Sequence, residues 1–181
     1  QIINRNAQYL LSLVNQLIDL RKIDTQNLTL NYSQFNFSKF LNTTITDFSN
    51  LMKERNISFE KIYRLKSDHI YSDKENLHKI LFNLLSNAIK HTPDKGKITL
   101  HANQFIDKSN KLMQFISVTN SGSIIAPDEI DKIFNRFYQS QGQTKYPMYG
   151  QAGSGIGLYL CKRIVQMHGG EIHAQNNHTT G

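Results

Sequence analysis

The sequence has 181 residues, 39% of them hydrophobic, and 21 basic against 14 acidic side chains leave a net charge of +7. That length suits one domain of about 150 residues with an appendage; the apolar content suits one core, and no apolar run approaches the ~20 residues of a membrane span. The basic residues are scattered and the densest cluster, Lys90 to Lys97, has no interleaved aromatics, so a small anionic ligand explains the charge as well as nucleic acid does, and no nucleic-acid partner is expected.

The chain starts at Gln1 with no initiator Met and no signal-peptide pattern, and reads as a piece of something longer. The single Cys161 excludes an internal disulfide and fits a reducing compartment. It lies in an apolar helical stretch and reads as buried filler rather than a nucleophile. The seven histidines lack metal-ligand spacing, so no zinc site is expected.

From Gln1 to Ile23, Ile3, Leu10, Leu13, Val14, Leu17 and Leu20 recur at mixed three and four spacing, which predicts a helix. Its long stripe suggests a bundle arm. Leu28, Leu30 and Tyr32 alternate as a half-buried strand would. Ser38 to Arg55 reads as a second helix with Phe40, Leu41, Ile45, Phe48 and Leu51 inward, capped by Ser38 or Asn36. Ile57 to Ile62 and His69 to Tyr71 read as short strands.

The stretch Asp73 to Thr92 predicts a helix with Ser72 or Asp73 as its cap. At about 100° per residue, Leu77, Leu81, Leu84, Leu85 and Ala88 share one side, and Asn76, Asn83, Asn87 and Lys90 the other. Asparagine is a poorer helix former than the Glu and Lys usual on a wet face. Its neutral carbonyl suits a hard cation such as Mg²⁺ that is also held by phosphates, and Lys90 could meet a phosphate. A merely solvated face stays open on these residues alone.

Thr92-Pro93 ends this helix and Lys95-Gly96 turns the chain. Lys97 to Phe105 and Leu112 to Thr119 alternate, predicting an antiparallel pair. Asp128 to Tyr138 reads as short and helical, Ser140 to Gly153 as a loop, Ile156 to His168 as a helix stopped by Gly169-Gly170, and Glu171 to Ala174 as a strand. The class is α+β, a mostly antiparallel sheet covered by helices on one face. The run Gly153-Ser154-Gly155-Ile156-Gly157-Leu158 opens a helix, where free N–H groups suit phosphate. The Rossmann and Walker patterns are both absent.

NLLSNAIKHT, then Asn120-Ser121-Gly122, then IFNRFYQ, then GSGIGLYLCKRIVQMHGGEI resemble in order the asparagine, glycine and phenylalanine boxes of the ATP-binding catalytic domain of sensor histidine kinases, in the superfamily shared with gyrase, Hsp90 and MutL. The resemblance covers Asn31 to Gly181. It implies a two-layer α/β sandwich over residues 28–181 that lacks its C-terminal strand. Residues 1–27, with NAQYLLSLVNQLIDLRKID, resemble the second helix of the dimerisation and phosphotransfer hairpin, most like hybrid kinases that carry their own receiver domain.

By this resemblance Asn87 ligates Mg²⁺ with Asn83 supporting it, Lys90 contacts the ATP phosphates, and His91 lies beside adenine or ribose. Asn120, Gly122, Phe137, Gly153, Gly155, Gly157 and Leu158 complete the cofactor-binding set. ATPase members of the superfamily carry a water-activating glutamate where this chain has Asn83, which is no general base; transfer to a histidine needs none. The implied reaction moves the ATP γ-phosphate to a histidine on a hairpin outside this segment, for relay to a response-regulator aspartate. No His followed by Glu or Asp is present to accept it, so autophosphorylation by this chain alone is not expected. The implied partners are the phospho-accepting hairpin of a homodimer and a receiver domain, in a cytoplasmic domain whose parent is anchored in the inner membrane, with no membrane contact from this segment. Asn120 stands where relatives carry the Asp that accepts from the adenine amino group, and Ile124 where they carry a glycine whose replacement could crowd the pocket. Gln139 replaces a frequent basic residue, leaving Lys145 as the loop's cation. These departures keep open an alternative: a degenerate, non-catalytic module of the same fold that signals by contact.

Overall fold

The structure, a computed structural model, describes residues 2–25, 27–122, 124–139 and 154–177, without the side chains of residues 2–6, 8, 9 and 12. These residues form two compact units, one of residues 31–122 and one combining residues 2–30 with 124–177 as far as they are described. The class is mixed α/β, with helices packed on a mixed sheet, as the alternation in the sequence indicates.

In the first unit, β1 (Tyr32–Asn36) pairs antiparallel with β3 (His69–Asp73), and β4 (Lys97–Ile106) lies between β2 (Ser58–Arg64), parallel to it, and β5 (Leu112–Asn120), antiparallel to it. Alternate side chains turn to opposite faces of a strand, so Ile98, Leu100, Ala102 and Gln104 of β4 are all buried. Against them pack the apolar faces of α2 (Phe37–Thr46), with Phe37 and Leu41, and of α4 (Lys74–His91), with Leu81, Leu85 and Ile89. Each such Leu is worth about 2–5 kcal/mol against truncation to Ala.

Three expectations shift here. The first strand begins at Tyr32, not Leu28, because pairing starts where Tyr32 faces Asp73, whose carboxylate also accepts the Asn31 N–H at 2.7 Å. The helix expected over Ser38 to Arg55 is two, α2 and α3 (Ser49–Glu54), broken at Asp47-Phe48. The run Thr43-Thr44-Ile45-Thr46 is β-branched, and each threonine hydroxyl bonds back to a carbonyl four residues earlier, which competes with the helix ladder. Asn36 is the cap of α2, accepting from the Lys39 N–H at 2.7 Å.

The third concerns Asn76, placed by spacing on the polar row of α4. It is 6% exposed and belongs to the cap instead. Asp73 accepts from its backbone N–H and from its side-chain amide, both at 2.9 Å.

In the second unit, α1 (Ile2–Asp24) packs on α5 (Gly157–Met167). Leu20 and Ile23 of α1 are buried, while Leu10, Leu11, Val14, Leu17 and Ile18 form an exposed apolar stripe. The segment expected as a helix from Asp128 is a series of turns with one 3₁₀ turn at Lys132–Phe134. Residues 171–177 form no strand. The described residues of this unit offer no strand to pair with, and Asn176 uses its side-chain amide, bonding Ile125 N–H at 2.9 Å and Ile125 C=O at 2.7 Å. The loop expected over Ser140 to Gly153 lies outside the described residues. Among the described residues, no helix is long and apolar enough to cross a membrane.

Candidate nucleotide-binding site

In the first unit the site is built on the second half of α4. Asn83, Asn87 and Lys90 share its half-buried side, each three or four residues from the next and so neighbours on the helix surface. Asn83 donates its amide N–H to the Lys79 carbonyl at 2.8 Å, which fixes which end of the amide is nitrogen and leaves its oxygen as an acceptor. The Asn87 side chain makes no hydrogen bond among the described residues.

Lys90 sits half in the protein, and burial pushes its ammonium below the usual lysine range. It has no carboxylate partner among the described residues. Burial lowers the His91 imidazole in turn, and the neighbouring Lys90 charge lowers it further. Removing a cation from water is costly unless an anion meets it, so this corner of the unit favours a negatively charged ligand.

The end of α4 is set by its neighbours. Thr92 leaves the helical region with ψ 133° ahead of Pro93, as a residue before proline tends to. Ser121 ties the loop after β5 to the start of β4, its N–H donating to Lys97 C=O at 2.9 Å and its hydroxyl accepting the Lys97 N–H at 2.7 Å. Gly122 then passes so close to α4 that a Cβ there would overlap the His91 carbonyl and the Asn120 side chain. The half-buried Asn120 side chain and the His91 carbonyl at the end of α4 thus meet at Gly122. One contributor was missed from sequence: Arg55, at the end of α3, whose guanidinium donates to Ile89 C=O at 2.7 Å and Thr92 C=O at 2.6 Å.

The other residues that the resemblance assigns to the nucleotide lie in the second unit, taken by itself, and Gly153 lies outside the described residues. Gly155 has φ +67° and accepts the Phe137 N–H at 2.9 Å; a Cβ on it would meet the Phe137 backbone. Phe137 itself has φ +62° and is 56% exposed, with Arg136 over its ring at 5.0 Å. Arg136 also pairs with Asp24 at 2.9 Å. Gly157 and Leu158, both half-buried, open α5, and Ser154 bonds Gln16 at 2.9 Å. Ile124 is 79% exposed within its unit. Cys161 is fully buried, and burial pushes its thiol up to about 12, which suits filler and not a nucleophile.

The donors suit Mg²⁺ delivered with a polyphosphate: neutral amide oxygens and a lysine, with no cluster of three His, Cys, Asp or Glu among the described residues.

Residues 72–181, more than half the chain, match the family described as histidine kinase-, DNA gyrase B-, and HSP90-like ATPase. The chain is 33% identical to histidine kinase P4 of Formosa agariphila over 99% of its own length and 13% of that protein's. It is 30% identical to hybrid signal transduction histidine kinase D of Dictyostelium discoideum over 100% of its length and 12% of that protein's. It thus spans about an eighth of either relative. Among solved structures, the nucleotide-free catalytic domain of histidine kinase ThkA superposes with a TM-score of 0.66 at 25% identity, covering 81% of this chain and 89% of that one. The chain therefore belongs to the histidine kinase-, DNA gyrase B- and HSP90-like ATPase family, and its relatives within it are sensor histidine kinases.

Proposed function

We propose that this chain is the ATP-binding catalytic domain of a sensor histidine kinase, residues 28–181, preceded in residues 1–27 by one helix of a dimerisation and phosphotransfer hairpin. The observation that carries the proposal is the half-buried, acid-free Lys90 ammonium beside the amide oxygens of Asn83 and Asn87 on one side of α4. Lys90 binds phosphate, His91 and Asn120 face the nucleoside, and Asn87, supported by Asn83, holds Mg²⁺. The metal, when bound, neutralises phosphate charge. Phe137, Gly155, Gly157 and Leu158 are assigned to the nucleotide on the resemblance of their boxes, not on geometry.

The γ-phosphate passes to a histidine nitrogen on a hairpin outside this segment, ADP leaves, and the phosphoryl group is relayed to a response-regulator aspartate. Asn83 offers no base to activate water, so transfer rather than hydrolysis fits. Catalysis is positioning and charge neutralisation. The parent acts as a membrane-anchored homodimer with this domain in the cytoplasm.

The test is calorimetric titration with a non-hydrolysable ATP analogue, with and without Mg²⁺, beside Asn87→Ala. Mg²⁺-dependent binding that Asn87→Ala weakens supports the proposal; no binding up to millimolar nucleotide rejects it. One observation favours a second reading, a binding-fold module without catalysis: Asn120 offers the adenine amino group a neutral acceptor. If Asn120→Asp raises a barely measurable affinity by more than about tenfold, beyond what one charge-assisted bond usually adds, the second reading is preferred.

A further inference from the structure

We infer that Arg55, which lies 34 and 37 residues from its partners in sequence, is a positioning residue for nucleotide binding, acting through the last turn of α4. The inference rests on the nucleotide reading above. It concerns a side chain that neither the motifs nor the resemblance singles out.

Arg55 grips one short segment from several sides. Its Nη1 donates to Ile89 C=O at 2.7 Å, its Nη2 to Thr92 C=O at 2.6 Å, and its Nε pairs with Asp94 at 2.8 Å. Its own carbonyl accepts the Lys95 N–H at 3.0 Å. The side chain is only 17% exposed. Lys90 and His91 lie between the two carbonyls it holds, and the His91 carbonyl is the surface on which Gly122 sits.

The last carbonyls of a helix lack their usual partner four residues on and carry the negative end of its dipole; Ile89 C=O receives only a long bond, 3.4 Å, from the Thr92 N–H. A guanidinium answers both needs, because its planar fork reaches two acceptors at once while its charge opposes the dipole. A lysine ammonium at the same place is one point charge on a flexible stem. Without the fork, the final turn is free to fray. Lys90, His91 and the Gly122 seat then hold their bound arrangement only part of the time, and apparent affinity falls by that fraction. Arg55 thus sets how well formed the site is before ligand arrives.

The experiment measures Mg²⁺-dependent binding of a non-hydrolysable ATP analogue at low temperature, together with amide hydrogen exchange at Lys90 to Thr92. The proteins compared are wild type, Arg55→Met, Arg55→Lys, Asp94→Asn and Asn87→Ala. Arg55→Met is expected to weaken binding about tenfold by lowering the population of the formed turn, with faster exchange at those amides. Arg55→Lys is expected to recover part of the loss. Asp94→Asn, which keeps both carbonyl bonds, is expected to stay within about twofold of wild type.

Wild-type affinity in a folded Arg55→Met protein, or weakened binding with unchanged exchange, overturns the inference. If Arg55→Met does not fold, Arg55→Lys decides: wild-type affinity overturns, and weaker binding with faster exchange supports. Absent binding by wild type, or indifference to Asn87→Ala, overturns the nucleotide reading and this inference together. Failure of the Arg55 variants alone, beside a sensitive Asn87→Ala, overturns only this one.

Discussion

The carbonyl oxygen of His91 occupies the space that a side chain on Gly122 would need. The loop after β5 and the end of α4 are therefore in backbone contact, and no rotamer can relieve an added methyl. Gly122→Ala is expected to destabilise the fold by about 1–3 kcal/mol, the usual cost of overpacking, seen as a lower urea midpoint. It should weaken nucleotide binding as well, because Asn120 and His91 would be forced apart.

Asn87 offers a contrast. Its side chain makes no hydrogen bond among the described residues and is half-buried, so its truncation removes little from the fold. Asn87→Ala should leave stability within about 0.5 kcal/mol while reducing Mg²⁺-dependent nucleotide affinity by tenfold or more, about 1.4 kcal/mol. Equal affinity with and without Mg²⁺ in wild type would remove the residue's assigned role.

Lys90 and His91 give the domain a pH signature. Burial lowers the Lys90 pKa, and a bound phosphate would favour its charged form, so binding takes up a proton at alkaline pH. Affinity for the ATP analogue should fall as pH rises toward the usual lysine range, and Lys90→Met should remove that slope. For His91 the folded pKa is depressed below the ordinary 6.5. The unfolded chain then binds the proton first, and stability is lost as pH falls below that value. Denaturation at stepped pH should show this loss, smaller in His91→Gln.

Asp73 holds three donors at the start of α4: the backbone and side-chain N–H groups of Asn76, both at 2.9 Å, and the Asn31 N–H at 2.7 Å. Asp73→Ala removes a helix cap, worth about 1 kcal/mol, and strands the buried Asn76 side-chain N–H at about 1–3 kcal/mol. A loss of about 2–4 kcal/mol is expected by chemical denaturation.

The sequence was most legible where one local rule acts alone. The apolar side of α4, the hairpin of β4 and β5 and the glycine stop after α5 follow from periodicity and turn chemistry. Spacing failed where a side chain has two possible employers. Asn76 lies in step with Asn83 on a helical wheel but is claimed by Asp73. The threonines of α2 prefer their own carbonyls, which breaks the helix at Asp47. Glu171 to Ala174 has the composition of a strand but no strand beside it among the described residues of its unit. Within the candidate site, the shared side of Asn83, Asn87 and Lys90 was readable from helix spacing, while His91 and Gly122 were assigned by the resemblance alone. Arg55 was not readable, because nothing short of the folded chain brings α3 to the end of α4.

The depth of Cys161 has a practical consequence. It is the chain's one cysteine, and a thiol held near 12 in a closed core has almost no thiolate at neutral pH. Maleimides and nitroxide reagents should leave the native protein unlabelled. A cysteine placed at an exposed position, such as Tyr71, would then carry the only label, so motion at that position can be followed without first deleting a core side chain.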